Sequence, residues 1–578
     1  MDSDLTSQIA TNYIPSEAEL DHIKNFILPK PIANLGDLER EINRIQETYS
    51  SLMEQRQVLL AEIEGYRSLI SPARRLPIDI LEEIFIHTLP TTHNALMDPR
   101  KCPLLLTQIC HGWRKIALST PQLWSSIHIT VPHIARGHPG QWGPMHFGNL
   151  PEEFRVPTLS FLRNYASYIA NWLGRSGECP LSISLYDWRD SFPPEEHYDI
   201  IINSFLPHAC RWKTLVLDTR SPFLGRIAEL TEYDVPLLES LTLHVIMNDE
   251  IGPSGPLGVW GMSGIIKSHR LKKIDSQIEH NITNFAFKWA QLTDIKLSQF
   301  SDGWGALSAH VSLKDLVLIL SRAPRLINFH SEIRLTADTG LASPPSISFL
   351  PLLYLQKLVF HDGGANCKPL FDLLNVPSLL HLDFFPTDIS SITVLSTFLP
   401  QVAGTILSLT TPYFFFVKPN HHPALSQCHR LTCITIKSRP SFGPTTWPPS
   451  LVESIGDIFL DDLTLPMEHP ERLAPALEIF NCQTGGDFSD VAILRFIKTK
   501  QSRPDIAKLK RIYIQFNRPK ELDLSSDQEF LQCVADGLDA DLRYLVGLNP
   551  QVPFVFIPEE GAQLQDPDTQ CDWAPSWA

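Results

Sequence analysis

The sequence predicts an α/β protein built from an N-terminal heptad helix, a small all-α module and an irregular α/β solenoid. Three observations lead to this fold class. Apolar residues recur at alternating spacings of three and four between residues 35 and 70. Two short amphipathic segments follow between residues 72 and 126, and a short apolar pattern then recurs through most of the remaining chain. The first spacing is typical of a helix with an apolar seam, and the alternation of single apolar and polar residues is typical of strands.

Composition and charge limit the classes of partner. The 578 residues are 43% hydrophobic and carry a net charge of −16, so the chain can form real cores but would repel nucleic acid and anionic lipid. Its acidic start, MDSDLTSQIA, is unlike a signal peptide, and no run approaches the roughly 18 apolar residues of a membrane span. Ten cysteines without a CxxC pair fit a reducing compartment. We therefore expect an intracellular protein of the cytoplasm or nucleus, with neither nucleic acid nor membrane as partner.

Residues 1–34 carry three prolines and predict a loosely ordered arm, whereas residues 35–71 predict a heptad helix. Its seam runs from Leu35 to Ile70, and Arg56 is its only charged member. Two interpretations remain open. The seam can form a coiled-coil homodimer through residues 35–70, or it can pack on another part of the same chain, because further apolar residues widen the stripe beyond a two-stranded seam.

Residues 72–126 predict a small helical module. Its first helix, LPIDILEEIFIHTL, has Pro77 in the first turn, where a missing N–H is tolerated. The second segment, LLLTQICHGWRKIALST, has apolar residues at helical spacing, and TPQLW then supplies Leu123 and Trp124 as anchors. These helices are apolar on more than one side, so the module is expected to bury part of its surface against a partner.

The strings LPIDILEEIF, LLLTQICHGWRKIA and STPQLW, in this order, resemble an F-box of the form common in fungal F-box proteins. The link between the two helices is longer than the family's common form. The resemblance implies docking on a Skp-type adaptor and, through it, on a cullin of an SCF-type ubiquitin ligase. By motif position it assigns ten residues to the adaptor: Leu76, Pro77, Ile80, Leu81, Ile84, Phe85, Ile109, Cys110, Trp113 and Ile116. Because a helix offers only one face to a partner, we expect about half of them to touch the adaptor and the rest to form the module's core.

After a linker and connecting helix at 127–179, residues 180–548 predict the solenoid. An apolar pattern, L-x-x-L-x-L, recurs in ten copies separated mostly by one or two units of 21–29 residues: RWKTLVL, LLESLTL, LTDIKL, LKDLVL, LQKLVF, LLHLDF, GTILSL, LTCITI, LDDLTL and LKRIYI. This period matches leucine-rich repeats, although the usual asparagine after the strand is missing, which leaves a mixed α/β domain open. Residues 549–578 are expected to form a tail or cap.

Each copy predicts a strand of one parallel sheet, with the residues between the apolar ones on a concave face that could grip a protein. These polar positions are Lys213, Thr214, Glu239, Ser240, Asp294, Lys314, Asp315, Lys357 and Thr432. Helices between strands are expected in SFLRNYASYIANWLG and HYDIIINSFLPHA.

The sequence carries no recognised catalytic, phosphate-binding or metalloprotease motif, so no enzyme activity, cofactor or metal is predicted. The best metal candidates, His128, His133, His138 and His146, are spaced too widely and lie in a Gly- and Pro-rich stretch that favours a solvated linker. The predicted function is a substrate-receptor subunit of an SCF-type ligase with an unknown target protein. The alternative is a non-catalytic interaction scaffold without a role in ubiquitin transfer.

Overall fold

The computed structural model describes 19 segments of the chain: 12–70, 72–131, 152–187, 195–219, 224–245, 263–277, 282–298, 312–332, 349–361, 366–386, 392–417, 422–437, 455–465, 469, 472–483, 486–516, 518–522, 524 and 527–544. The predicted tail at 549–578 and three of the candidate histidines, His133, His138 and His146, lie outside the described residues. The described chain divides into two compact units, one ending at Ile84 and the other beginning at Phe85.

The first unit is helical. Helix α1 (Glu17–His22) begins with a capping box in which Glu19 accepts hydrogen bonds from the backbone N–H and hydroxyl of Ser16. A π-helical turn (Ile23–Ile27) leads to helix α2 (Pro29–Leu69), and a 3₁₀ turn (Pro72–Arg75) follows it. Helix α2 thus begins six residues before the predicted Leu35, because Pro29 and Pro31 occupy the first turn, where proline is tolerated.

Short helices follow in the segment 72–126, which the sequence predicts as a helical module. They are α3 (Ile78–His87), α4 (Leu106–Ile109), α5 (His111–Ser119) and a 3₁₀ turn (Pro121–Trp124). The second predicted helix is broken in two at Cys110, whose backbone is extended (φ −159°, ψ 166°). The break arises because the Cys110 thiol accepts the Trp113 N–H at 3.4 Å and caps the second piece.

A large parallel sheet dominates the second unit. Among the described residues it has fourteen strands, each beside its sequence neighbours. They are β1 (Ser126–Thr130), β2 (Leu181–Asp187), β3 (Trp212–Thr219), β4 (Ser240–Val245), β5 (Lys273–Gln277), β6 (Asp294–Ser298), β7 (Asn328–Glu332), β8 (Lys357–His361), β9 (His381–Phe385), β10 (Ser408–Thr411), β11 (Cys433–Ile436), β12 (Ile479–Cys482), β13 (Arg511–Phe516) and β14 (Asp539–Tyr544). Two further two-residue strands, Leu350–Pro351 and Leu374–Asn375, pair separately.

The same hydrogen-bonded turn precedes many of these strands. A buried leucine closes a turn by donating its N–H to the carbonyl three residues earlier, and the first core residue of the strand comes three residues later. This holds for Leu238, Leu271, Leu292, Leu326, Leu355, Leu379, Leu431 and Leu477. This turn and the strand after it explain the L-x-x-L-x-L pattern. The first leucine of the pattern closes the turn, and the other two apolar residues enter the core.

Helices between the strands cover the apolar face of the sheet. They are α6 (Glu152–Arg175), α7 (Glu195–Phe205), α8 (Gly225–Ala228), α9 (Leu313–Arg322), α10 (Lys368–Leu373), α11 (Ile392–Val402), α12 (Phe414–Val417), α13 (His422–Ser426), α14 (Asp457–Asp462), α15 (Asp490–Ser502) and α16 (Gln528–Ala535). Helix α6 contains SFLRNYASYIANWLG and α7 contains most of HYDIIINSFLPHA, so both predicted helices are confirmed.

Aromatic rings join the helices to the strands. Phe371 of α10 lies 5.3 Å from both Phe360 of β8 and Phe384 of β9, and 5.0 Å from Phe398 of α11, measured between ring centroids. All four rings are buried. Edge-to-face contacts of this kind stabilise a core beyond the area that they bury.

Two of the ten predicted strand copies are wrong. LKDLVL lies in helix α9, because Ser312 and Asp315 form a capping box and Leu313, Leu316 and Leu320 share one helical face. LDDLTL lies at the end of α14 and in the turn after it, where Leu460 and Leu463 are buried at helical spacing. Lys314 and Asp315 are consequently not on the sheet. In GTILSL the strand's buried residues are Leu409 and Thr411, and Leu407 is half-buried.

None of the described helices has both the length and the apolar character needed to cross a lipid bilayer.

Candidate functional site

The ten residues that the F-box resemblance assigns to the adaptor differ in exposure. Leu81 and Phe85 are buried. Leu76, Trp113 and Ile116 are half-buried, and the remaining five are exposed: Pro77, Ile80, Ile84, Ile109 and Cys110. Three of the exposed five are isoleucines, which are among the residues most often found inside proteins.

Helix α3 has two apolar faces. Ile80 and Ile84 are four residues apart and therefore lie on one face, while Leu81 and Phe85 lie on the neighbouring one. The ring of Phe85 packs against Trp113 of α5, with 4.9 Å between the ring centroids. Phe85 and Trp113 thus belong to the module's own core, and Ile80 and Ile84 are the side chains that α3 leaves available.

Trp124 joins the module to the sheet. It is fully buried, its Nε1 donates to the Ala117 carbonyl at 2.8 Å, and its ring meets Trp172 of α6 edge to face at 4.9 Å. Trp172 in turn donates to the Ser126 carbonyl of β1 at 3.1 Å, and the Arg175 guanidinium lies 4.7 Å from the centre of the Trp124 ring. These contacts fasten α5 to the first strand of the sheet.

The link between α3 and α4 is also tied to the sheet. Asn94 accepts hydrogen bonds from the hydroxyls of Ser126 (3.0 Å) and Ser182 (2.8 Å) and donates to Ser184 at 3.0 Å. The His128 N–H donates to the Ala95 carbonyl at 2.8 Å, so the link pairs with the edge strand β1. The asparagine was not singled out in the sequence; its only local signal is its place in a polar link.

The sheet face opposite the core, called here the polar face, carries the residues between the buried ones. The strand register aligns Thr214, Ser240, Lys273, Asp294, Asn328 and Lys357 in one row across neighbouring strands. Four of the predicted polar positions therefore share this face and row: Thr214, Ser240, Asp294 and Lys357. Lys213 precedes this row and pairs with Glu239 at 3.9 Å.

A charged network crosses the polar face from β3 to β6. His244 Nε2 lies 3.0 Å from Asp275 Oδ1, and its Nδ1 lies 3.6 Å from Asp218 Oδ2. Lys296 continues the network, with its Nζ 3.1 Å from Asp275 Oδ2. Burial alone would lower the pKa of His244, but the two carboxylates outweigh it and raise that pKa to about 9. At neutral pH His244 is therefore a buried cation between two acids.

A second cluster lies at the carboxyl ends of β7 and β8. His330 Nε2 is 2.8 Å from Glu332 Oε1, and His361 Nε2 is 3.5 Å from the same oxygen. Burial raises the pKa of Glu332, but the two histidines and the charge of Lys296 outweigh it and lower that pKa to about 2. This cluster is hard to find from the sequence, because its only local signals are the His-x-Glu of β7 and the histidine at the end of β8.

His128, the one described member of the predicted histidine group, lies on β1 with its Nδ1 2.8 Å from the Ser184 hydroxyl. Burial and the nearby His93 lower its pKa to about 4, despite an opposing effect of Asp218. It is therefore neutral at pH 7.

No protein-family model matches the sequence, and no curated protein matches it at a significant level.

Proposed function

We propose that the chain is the substrate-receptor subunit of an SCF-type cullin–RING ubiquitin ligase, with residues 72–126 docking on a Skp-type adaptor. The exposure of the assigned residues carries this proposal. Isoleucines exposed at Ile80, Ile84 and Ile109, beside buried Leu81 and Phe85, match the expected division between a partner-facing surface and a core. An exposed apolar side chain gains about 1.5–3 kcal/mol when a partner buries it fully.

We further infer that the second unit is a solenoid of the leucine-rich-repeat type. Two observations support this inference. Its strands are parallel and follow sequence order, so every connection returns to the next position along the sheet. The same leucine-closed turn precedes successive strands, as a repeating unit would require.

The polar face of the sheet is the surface that we assign to the target protein. Solenoid proteins use the extended concave surface of their stacked repeats for binding. The Trp124 and Asn94 contacts hold α5 and the link before α4 against the first strands of this sheet. The chain would act by proximity, raising the effective concentration of target lysines near a ubiquitin-charged enzyme, with no catalytic residue of its own.

The exposed seam of α2 supports a homodimer. Its ten apolar members, from Leu35 to Ile70, are 45% to 66% exposed, and a second copy of the helix would bury them. Two receptors in one assembly would bind a multivalent target with greater avidity.

The experiment is co-purification of the full-length chain with a Skp-type adaptor and cullin. Ile80→Asp combined with Ile84→Asp should reduce adaptor binding at least about tenfold while leaving the fold intact, because both side chains are exposed. Ile458→Asp, an exposed isoleucine on α14, is the matched control and should bind normally.

Adaptor binding that survives the double substitution in a folded protein would overturn the assignment of these residues. A wild-type chain that binds no adaptor would overturn the ligase proposal and favour the interaction scaffold.

A further inference from the structure

The histidine–glutamate cluster of β7 and β8 combines three metal-binding side chains from two neighbouring strands. His330 and Glu332 alternate along β7 and so point to the same face, and the parallel register pairs Glu332 directly with His361 of β8. Two imidazoles and one carboxylate are a donor set that transition metals prefer.

The distances suit one small ion. The three donor atoms lie within 4.8 Å of one another, with Nε2 of His330 and Nε2 of His361 at 2.8 and 3.5 Å from Oε1 of Glu332. An ion about 2.1 Å from each atom would see these two pairs at angles of about 84° and 113°. The first angle is slightly below the octahedral value of about 90°, and the second is slightly above the tetrahedral value of about 109°.

Binding would require a small closure. At a tetrahedral angle the two ring nitrogens would lie about 3.4 Å apart, so they would need to approach by at most about 1.4 Å. His330 and Glu332 are 28% and 30% exposed and can make this adjustment, whereas the buried ring of His361 stays anchored against Phe385, 4.6 Å away.

One ligand atom lacks its own hydrogen bond. Nε2 of His330 is buried, and within the described structure its polar contact is the ion pair with Oε1 of Glu332. A metal ion between the imidazole and the carboxylate would satisfy this nitrogen.

The charges around the cluster are compatible with a bound cation. Lys296 is a nearby basic group, and its Nζ is held by Asp275 on the next strand at 3.1 Å. The partial exposure of His330 and Glu332 leaves one side open to solvent. Three protein ligands leave a fourth position for water or for a donor atom of a bound molecule.

We propose that His330, Glu332 and His361 form a transition-metal site, with Zn²⁺ as the favoured ion and one coordination position open to an exogenous ligand. The site stands independently of the proposed ligase function.

The test uses full-length protein stripped of metal and titrated with Co²⁺, whose visible absorption reports its coordination, followed by competition with Zn²⁺. Wild-type protein should take up one equivalent of Co²⁺ that Zn²⁺ displaces. Glu332→Gln and His330→Asn should each weaken this binding by about a hundredfold, since loss of even an outer-shell partner costs 10–100-fold. Both residues are partly exposed, so the variants should fold.

His381→Asn is the matched control, because His381 is an exposed histidine on the polar face of the next strand. It should bind Co²⁺ like wild type. Failure of the wild-type protein to take up one equivalent would overturn the proposal. So would an equivalent whose affinity and absorption are unchanged in Glu332→Gln and His330→Asn.

Discussion

At the scale of single residues, charges on the polar face depend on their neighbours across the sheet. His244 lies on β4, with Asp218 on β3 and Asp275 on β5, so no two members of this triad share a strand. If a hydroxyl replaced the two carboxylates, we would expect the pKa of His244 to resemble that of His128, which is lowered to about 4. Strand register therefore sets whether a histidine of this face is charged at neutral pH.

The raised pKa of His244 predicts a pH dependence of stability. An unfolded histidine has a pKa near 6.5, and the folded value is about 9. The stabilisation is fully present below pH 6.5 and is lost as the pH rises through 9, with a maximum of about 3 kcal/mol. Urea unfolding at pH 6 and pH 9.5 should show this fall in the wild type.

His244→Gln should reduce that fall, because the variant has no proton to lose. His269→Gln, at a solvent-exposed histidine, is the control and should keep the wild-type dependence. An equal fall in wild type and His244→Gln would show that the triad does not stabilise the fold.

At the scale of elements, side-chain caps mark where helices begin. Ser312 with Asp315 starts α9, Ser489 starts α15 and Cys110 starts α5. The Ser-x-x-Asp signal before α9 is visible in the sequence, yet the apolar spacing of LKDLVL also fits a strand. Periodicity over six residues cannot separate the two, and the cap is the better evidence.

The carboxylate of Asp490 links strand β14 to helix α15. Its buried carboxylate accepts from Arg518 (2.7 Å) and the Tyr544 hydroxyl (2.9 Å), and from the N–H groups of Glu521 and Leu522 (2.8 Å each). Burial raises the pKa of Asp490, but Arg518 and these donors outweigh it and hold that pKa below its usual value. The carboxylate therefore joins α15, β14 and the segment after β13.

Asp490→Ala should cost about 3 kcal/mol, because it removes the buried ion-pair partner of Arg518 and the acceptor of two N–H groups. Urea unfolding measures this loss, and hydrogen exchange should show β14 opening first. Asp541→Ala removes a more exposed pair with Arg543 on β14 and should cost under about 1 kcal/mol. Equal losses in the two variants would contradict a special role for Asp490.

At the scale of the whole molecule, the α2 seam predicts self-association. Light scattering of the full-length chain should give twice the 65.3 kDa chain mass. Ile45→Asp combined with Leu52→Asp should give the single-chain mass, because four carboxylates would meet in the seam. Val58→Asp changes an exposed residue of α2 outside the seam and should remain dimeric.

A wild-type protein of single-chain mass at micromolar concentration would contradict the dimer. So would a double variant that keeps the wild-type mass.

Sequence patterns alone determined much of this protein's local structure. The heptad spacing predicted the long helix, and the L-x-x-L-x-L pattern predicted eight strands of the sheet, including LTDIKL and LKRIYI. These features could be read because helix and strand periodicity, caps and turns depend on neighbouring residues in the chain.

Tertiary structure decided which side chains meet across the sheet. His330 and His361 are 31 residues apart in the sequence, and Asp218 and Asp275 are 57 apart; only the register of parallel strands brings each set together. The intervening segments differ in length, so spacing along the chain does not reveal that register. The tie between Asn94 and β1 likewise depends on contacts between residues far apart in the sequence.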